Sequence, residues 1–553
     1  MIRIGLMLDT FHQPAWVYEM LNRIIKIQNI QLSSIIINEA IKEKPNRLNQ
    51  VLQKPHHLFF EFYKRLESKI SKPSPNAFAL IDIRDILPQN LRIISVVPKK
   101  VGGGIFDVFT QADIDLIKKE QLDIIIRLGF RILKGDILSS ARYGIWSYHH
   151  GDNLINRGGP AGVWEFLLSW KETGTVLQIL TDQLDNGTVL YRSWAHTHRN
   201  FLNESINKFY WKSAAFLPRQ IERLSKIGAD NFFEEIKILN NRPSFYSNRL
   251  FKKPGNCEFF SRMMLKWTRL AIYFVSRIFC KEQWFLLYRF DNKKKLSTAG
   301  FQFKPLNPPK DRYWADPCVI FEKGEYFIFF EDFSYKANSG IISYCNLKVD
   351  GTISSVKTAL KKSYHLSYPF VFKHQGIFYM IPETQNNKTI ELYKTKNFPN
   401  DWEFVMNLKE DIWACDTTIL EYENKLWMFT CMKEFEGDSC HDELFIFYSD
   451  KLESNNWIPH DKNPVISDVK KARPAGGFLK VEEKLFRVSQ NCAEAYGKSI
   501  SLHEVLKLTE TEYVEKDVTE LLPQWNKTIS RVHSLSFSEG LTVIDGFRMI
   551  SRF

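Results

Sequence analysis

The stretch YGIWSYHHGDNLINRGGPAGVWE, residues 143–165, sets Ser147, His149 and His150 at the end of an apolar run, ahead of an Arg157-Gly158-Gly159-Pro160 turn. Side chains alternate along a strand, so Ser147 and His149 share one face while Tyr148 and His150 take the other. Further on, TDQLDNGTVL places Asp185 before Asn186-Gly187, a turn signal that could fold a carboxylate back onto His149. A hydroxyl donor, an imidazole and an orienting carboxylate suit acyl transfer to an amine. The donor steadies an oxyanion, His149 moves the proton, and Asp185 orients and charges the ring. A structural His–Asp pair at a strand end would leave the same spacing. Adjacent histidines on a strand diverge and no third ligand is spaced for zinc, so no metal is expected.

A second set of polar residues recurs in the other half of the chain. Asp316, Tyr368, Asp416, Arg473 and His533 are 52, 48, 57 and 60 residues apart, and each opens a strand-turn-strand unit such as ADPCVIFEKGEYFIFFE or SYPFVFKHQGIFYMIPE. That spacing predicts five propeller blades of four strands each, with the five residues around one funnel. Two aspartates with Arg473 and His533 would suit a phosphorylated or nucleotide-linked sugar, because a guanidinium meets phosphate bidentately. Trp314 and Trp413, expected to be exposed near blade starts, could stack on sugar rings, whereas Tyr326, Phe327, Phe329 and Phe330 alternate as core.

The elements that must position these residues differ between the halves. Residues 1–225 alternate apolar strand runs (IRIGLML, SSIIIN, RIISVV, LDIIIRLG, GIWSYHH) with helical patterns (WVYEMLNRIIKI, ADIDLIKKEQ), which predicts an α/β domain with a mainly parallel sheet. Ligands of such sheets bind beyond the carboxyl ends of the strands, where His149 falls. VGGGIF, residues 101–106, lacks the ending of a phosphate cradle and is expected to be a loop. Residues 226–282 follow neither rhythm and are expected to be a partly helical connector. Residues 283–553 form the all-β propeller, its ring closed by QWFLLYRF pairing with LTVIDGFRMI.

Composition sets the outer limits. With 553 residues the chain is too long for one core, and 75 Lys+Arg against 63 Asp+Glu give a net charge of +12, which favours anionic partners. The basic residues are scattered, without an aromatic-interleaved run, so nucleic acid is not an expected partner. The start MIRIGLMLDTF has no signal-peptide pattern, and the eight cysteines are not spaced as metal pairs, so reduced, buried thiols and a cytoplasmic location are expected. Residues 265–280 are too short and charged to span a bilayer but could lie along one, at the inner face of a membrane.

LDIIIRLGFRIL, SYHHGDNLINRGGP and TGTVLQILTDQLDNGTVL resemble, in order and spacing, the catalytic domain of folate-dependent formyltransferases, over about residues 90–195. The resemblance implies that His149 and Asp185 stand at the family's catalytic His and Asp, that Arg157 and Gly158 stand at its Arg-Gly, and that 10-formyltetrahydrofolate is the donor. Ser147 stands where the family has the Asn that donates to the oxyanion. Losing such a donor outright costs about a hundred- to a thousandfold in rate.

WADPCVIFEKGEYFIFFE, HLSYPFVFKHQGIFYMIPET, IELYKTKNFPNDWEF and KKARPAGGFLKVEEKLFRVSQNCAEAYG resemble the N-terminal propeller region of plant glucosamine inositolphosphorylceramide transferases, and of bacterial proteins that fuse it to a formyltransferase-like domain. More distantly, the blade-opening Ala-Asp-Pro is similar to five-bladed glycosidases. The likeness to the glycosidases implies a funnel lined by two aspartates and a glutamate, with Asp316 at the first position and Glu383 a substitute for the acid. The resemblances together imply a carbohydrate-biosynthesis protein that N-formylates a nucleotide-linked amino sugar, with a propeller that binds or transfers a sugar. The alternative is a glycosyltransferase or sugar-binding scaffold in polysaccharide assembly whose formyltransferase fold is inactive.

Overall fold

The computed structural model describes residues 1–40, 55–291 and 299–552. They fall into two compact units, Met1–Arg269 with Phe435–Asp438, and Leu270–Glu434 with the chain from Ser439 onward.

In the first unit five apolar runs become strands β1 (Ile2–Leu8), β2 (Ile30–Asn38), β3 (Arg92–Val96), β4 (Ile124–Arg127) and β5 (Ile145–His149). All five are parallel, in the order β5-β4-β1-β2-β3. Two antiparallel strands, β6 (Glu172–Ile179) and β7 (Thr188–His196), continue the sheet beyond β5. Parallel strands covered on both faces read as near-continuous apolar runs, which is why IIIR and SSIIIN stand out as strands. Alternation splits β1 between two cores. Ile4, Leu6 and Leu8 pack with Met20, Leu21 and Ile24 of the helix Ala15–Ile24. Met7 packs on the other face with Ile114 and Ile117 of the helix Gln111–Lys119. Thr110 caps the latter helix by accepting the Asp113 N–H at 3.2 Å. The triple glycine lies between the strands Lys99–Val101 and Phe106–Val108, with Gly102, Gly103 and Gly104 all at positive φ.

The first unit runs past residue 225. The helix Ala229–Leu239 buries Phe232 and Ile236 in the core that holds Ile4 and Leu6, and the Phe232 ring stacks on Trp146 at 6.0 Å. The segment expected to be a connector therefore belongs in part to this core. Its short apolar positions carry too little periodicity to show that from the sequence.

The second unit consists of five antiparallel sheets. Three of them open with the long strands Arg312–Glu322, Ser367–His374 and Trp413–Tyr422, and the fourth is built on Lys484–Asn491 and Ser499–Leu508. The fifth joins the two ends of the unit: Leu535–Ser538 and Leu541–Ser551 pair with Cys280–Phe290, which carries Lys304–Leu306 at its edge. The register runs from Cys280 opposite Ser551 to Phe290 opposite Leu541, so the closing strand begins at Cys280, ahead of the expected Gln283. Leu286 and Leu287 of one strand and Val543 and Ile544 of the other fill the cores on the two faces of this sheet. Of the eight cysteines, all unpaired, five are buried and Cys257 is exposed, so the expectation of uniformly buried thiols fails there; Cys257 lies in the first turn of a surface helix.

Ending the chain at residue 539 removes Leu541–Ser551 and leaves two unpaired sheet edges. Limited proteolysis of the truncated chain should cleave readily between residues 270 and 530, where the full chain resists; equal resistance would show that closure by this strand is dispensable.

Candidate functional site

The first candidate centre lies at the carboxyl end of β5. Asp185 sits in a turn at φ 50°, a left-handed conformation that Asp tolerates. Its Oδ1 is 3.3 Å from His149 Nδ1, and its Oδ2 accepts the Gly158 N–H at 2.9 Å. Gly158 adopts φ 101°, and a Cβ there would lie 2.2 Å from the Phe251 carbonyl oxygen, so only glycine brings this N–H to Asp185. Arg157 donates through Nε to the Asn153 carbonyl at 2.9 Å and through Nη2 to Asn186 Oδ1 at 2.8 Å. Arg157 and Gly158, expected to bind substrate, are thus seen shaping the turn that carries Asp185.

His149 uses both ring nitrogens. Nε2 lies 2.8 Å from the Asn156 carbonyl, which can only accept, so this nitrogen carries a proton while Nδ1 faces Asp185. Burial works against the charged ring, but Asp185 outweighs it and raises the His149 pKa. A ring held this way offers no open nitrogen to a substrate amine unless the Asn156 contact parts. Ser147 Oγ accepts from Arg127 Nη1 at 3.0 Å and lies 3.5 Å from the Tyr148 carbonyl oxygen, a marginal contact for its own hydroxyl to donate. Arg127 is the residue that motif reasoning missed. Burial lowers its pKa while Asp185, Asp9 and Asp107 oppose that, leaving a cation beside Ser147. Its signal is a lone charge inside the apolar run IIIRLG. His150 points away, stacked on Tyr210 at 3.8 Å with burial pushing its pKa down to about 3.

The second candidate centre is the middle of the propeller. Asp316, Tyr368 and Asp416 each occupy a bulge where the pairing register slips, with φ of 53°, 41° and 52°. A bulge with a left-handed residue re-aims the side chain out of the pleat, here toward the other blades. Asp316 Oδ1 lies 3.1 Å from His533 Nε2 and accepts from Ser534 Oγ at 2.7 Å, while Oδ2 accepts the Tyr368 N–H at 3.3 Å. Asp416 takes Arg473 bidentately, Nε at 2.6 Å and Nη2 at 3.1 Å, and accepts from Gln490 Nε2 at 2.8 Å. Arg473 also reaches His441 Nδ1 at 2.7 Å and Glu383 Oε2 at 3.4 Å. Tyr368 joins the set through its hydroxyl, 2.9 Å from Thr418 Oγ1. All five blade-start residues are buried, Asp316, Tyr368 and His533 in one group of contacts and Asp416 and Arg473 in another.

Two expectations change here. Arg473 does not present an open fork to phosphate, because Asp416 already fills it. Trp314 is buried against Phe330, its ring centroid 5.0 Å away, and Trp413 is half-buried under the Lys388 and Lys433 ammonium groups, so neither offers a bare stacking face. The aromatic ring at the centre is Tyr496, 5.2 Å from the His533 ring, 5.4 Å from His441 and 5.1 Å from the Arg473 guanidinium carbon.

The carboxyls of the centre differ in state. Burial and the neighbouring Asp416 push Glu383 well above the carboxylate range, and burial with Asp316 does the same to Glu331. Burial would also raise Asp316, but His533 overrides it and lowers its pKa. His533 Nδ1 lies 2.8 Å from Asp545 Oδ2, poorly aligned for a hydrogen bond but close in charge. Burial opposes the protonated ring, yet Asp545 and Asp316 raise its pKa to about 10. Asp316, His533 and Asp545 are near enough to share a cation, but a protonated His533 repels one. In the other such group, His503, Glu515 and Asp517, the Glu515 carboxylate is already bound by Arg487.

Residues 307–535 match the family described as "Glucosamine inositolphosphorylceramide transferase 1, N-terminal". The chain is 32% identical over 207 residues to glucosamine inositolphosphorylceramide transferase 1 of Oryza sativa subsp. japonica, covering 37% of this chain and 28% of that protein. It is 30% identical over 253 residues to the Arabidopsis thaliana protein of the same name, covering 43% of this chain and 33% of that one. The chain therefore spans about a third or less of the curated relatives it matches, and these relatives are plant proteins. Among solved structures, Zg3597, a family 117 glycoside hydrolase from Zobellia galactanivorans, aligns at 10% identity over 48% of this chain and 90% of that one, with a TM-score of 0.32. Glycinamide ribonucleotide transformylase 1 from Symbiobacterium toebii aligns at 13% identity over 39% and 84%, with a TM-score of 0.26.

The raised His533 pKa ties the propeller's stability to pH. A group whose pKa rises on folding stabilises fully below its unfolded value, near 6.5, and that contribution is lost as pH rises through about 10. In urea, His533→Asn should lower the unfolding midpoint strongly at pH 7, and the gap to the parent chain should narrow above pH 10. A gap independent of pH would show that His533 is not held charged.

Proposed function

We propose that the protein handles sugars in glycan assembly, as a glycosyl-transferring or sugar-binding component, with the propeller centre as the sugar site. The observation that carries this reading is the meeting of Glu383, whose pKa burial and Asp416 raise, with Asp416 itself and the Tyr496 ring around the Arg473 guanidinium. A proton donor beside a second carboxyl group is the equipment for protonating a leaving glycosidic oxygen, and an aromatic ring offers an apolar face to a pyranose. The similarity over residues 307–535 supports a transferase setting, since the matched proteins are named glucosamine inositolphosphorylceramide transferase 1. Because Asp416 fills the Arg473 fork, we assign recognition at this centre to hydroxyl or amino groups of the sugar. The phosphate of a nucleotide-linked amino sugar would be held by other groups.

A second reading is N-formylation of an amino sugar from 10-formyltetrahydrofolate by the first unit, acting as a formyltransferase-like domain joined to the propeller. The contact of His149 with Asp185 at a parallel-sheet edge favours it, and it requires the Asn156 carbonyl to release Nε2. Incubation with 10-formyltetrahydrofolate and nucleotide-linked amino sugars, followed by mass spectrometry, should then give a formylated product that His149→Ala abolishes and Ser147→Asn preserves or increases. No product with any amino sugar would leave the first unit as a non-catalytic scaffold.

The sugar site is tested separately by calorimetry of the full chain with glucosamine, neutral oligosaccharides and nucleotide-linked amino sugars. Glu383→Gln and Tyr496→Ala should each weaken binding about tenfold or more, the equivalent of at least one hydrogen bond. Binding that neither substitution alters would remove the propeller centre from the function.

A further inference from the structure

The first unit carries an apolar surface that neither candidate centre uses. On the helix Leu58–Ile70, Phe60 is buried, yet Phe59, Phe62, Leu66 and Ile70, spaced three and four residues apart, form a stripe facing outward; Phe62 is 67% and Ile70 65% exposed. The helix Asn256–Phe279 lies beside it. There Phe259 and Met263 face inward against Phe60, while Phe260, Met264 and Trp267 are exposed. The Phe59 and Phe260 rings are 5.9 Å apart, so the two stripes form one face. An apolar face of this extent marks an interaction surface.

Charge indicates what covers it. The first helix carries Lys64, Arg65 and Lys69 and the first unit's part of the second carries Arg262, Lys266 and Arg269, against only three acids, Glu61, Glu67 and Glu258. Each acid is engaged: Glu61 with Lys253, Glu258 with Arg249 at 2.7 Å, and Glu67 buried and accepting the Asn203 N–H at 3.2 Å. Among the described residues no helix is long and apolar enough to cross a membrane. Aromatic and aliphatic side chains flanked by Arg and Lys, on helices that do not span, are suited to lying in the headgroup region of a bilayer with anionic lipid.

We propose that the helices Leu58–Ile70 and Asn256–Phe279 form a docking face for an anionic membrane surface. The proposal is independent of the sugar reading, and would bring a lipid-linked sugar and the protein to the same surface. Flotation of the full chain with vesicles of phosphatidylcholine alone, or with phosphatidylglycerol added, tests it. The protein should float with the anionic vesicles, less with the neutral ones, and lose binding about tenfold or more in Phe62→Glu/Ile70→Glu and, separately, in Trp267→Glu, given the cost of removing two buried apolar side chains or one large one. Retained secondary structure by circular dichroism separates that loss from misfolding, and Arg262→Ala/Arg269→Ala gives a milder variant that should weaken binding to the anionic vesicles and lower its salt sensitivity. No flotation, or flotation unchanged by these variants, overturns the proposal. So does light scattering that shows a dimer which Phe62→Glu/Ile70→Glu converts to monomer, since a second copy would then cover the face.

Discussion

The propeller depends on one buried carboxylate. Asp545, fully enclosed in the closing strand, accepts the His533 and Ser534 N–H groups at 2.9 and 3.0 Å through one oxygen and the Asp316 N–H at 3.0 Å through the other. Those donors belong to the last and first blades, so a single side chain fixes the seam where the ring meets itself. The same carboxylate lies beside His533, whose charge in turn keeps Asp316 ionised. Removing one partner of such a buried set costs about 3–5 kcal/mol, because the others keep their desolvation without compensation. The geometry of the centre and the closure of the fold are therefore the same problem.

From that seam the centre divides into two neighbouring groups. Around Asp316 the charges are settled by His533, and Glu331, its pKa raised by burial and Asp316, lies behind them, accepting from Tyr313 at 3.0 Å. Around Arg473 the settlement is with Asp416, and Glu383, its pKa raised by burial, stands in front. Tyr496 touches both groups, which makes it the natural wall for a sugar ring. Left-handed bulges at Asp316, Tyr368 and Asp416 are the backbone device behind this arrangement. In an unbulged strand these side chains would follow the pleat into the space between sheets, where a carboxylate has no partner.

Much of the fold is legible in the sequence, for identifiable reasons. Doubly covered parallel strands leave unbroken apolar runs, so β1, β2, β4 and β5 can be read directly. Propeller blades repeat a polar opening followed by two aromatic strands, so the spacing of Asp316, Tyr368, Asp416, Arg473 and His533 shows in the residues alone. What the residues do not show is who pairs with whom. Nothing local to Arg473 says that Asp416, 57 residues earlier, will occupy its fork. Nothing near His149 says that a carbonyl seven residues on will take its second nitrogen. Arg127 and Asp545 do carry a local signal, since each is a charge inside an apolar strand run, and such a charge needs a buried partner. The outward stripe on Leu58–Ile70 carries none, because that helix is apolar on both sides, and periodicity cannot distinguish the face that packs from the face that does not.

The central claim is that the Glu383, Arg473 and Tyr496 region of the propeller receives a sugar. A crystal structure of the full chain soaked with the sugar that binds tightest tests this most directly. The account predicts a pyranose against the Tyr496 ring with a hydroxyl or the glycosidic oxygen within hydrogen-bonding distance of Glu383. A sugar bound only elsewhere, with the Asp416–Arg473 pair and Tyr496 untouched, would contradict it.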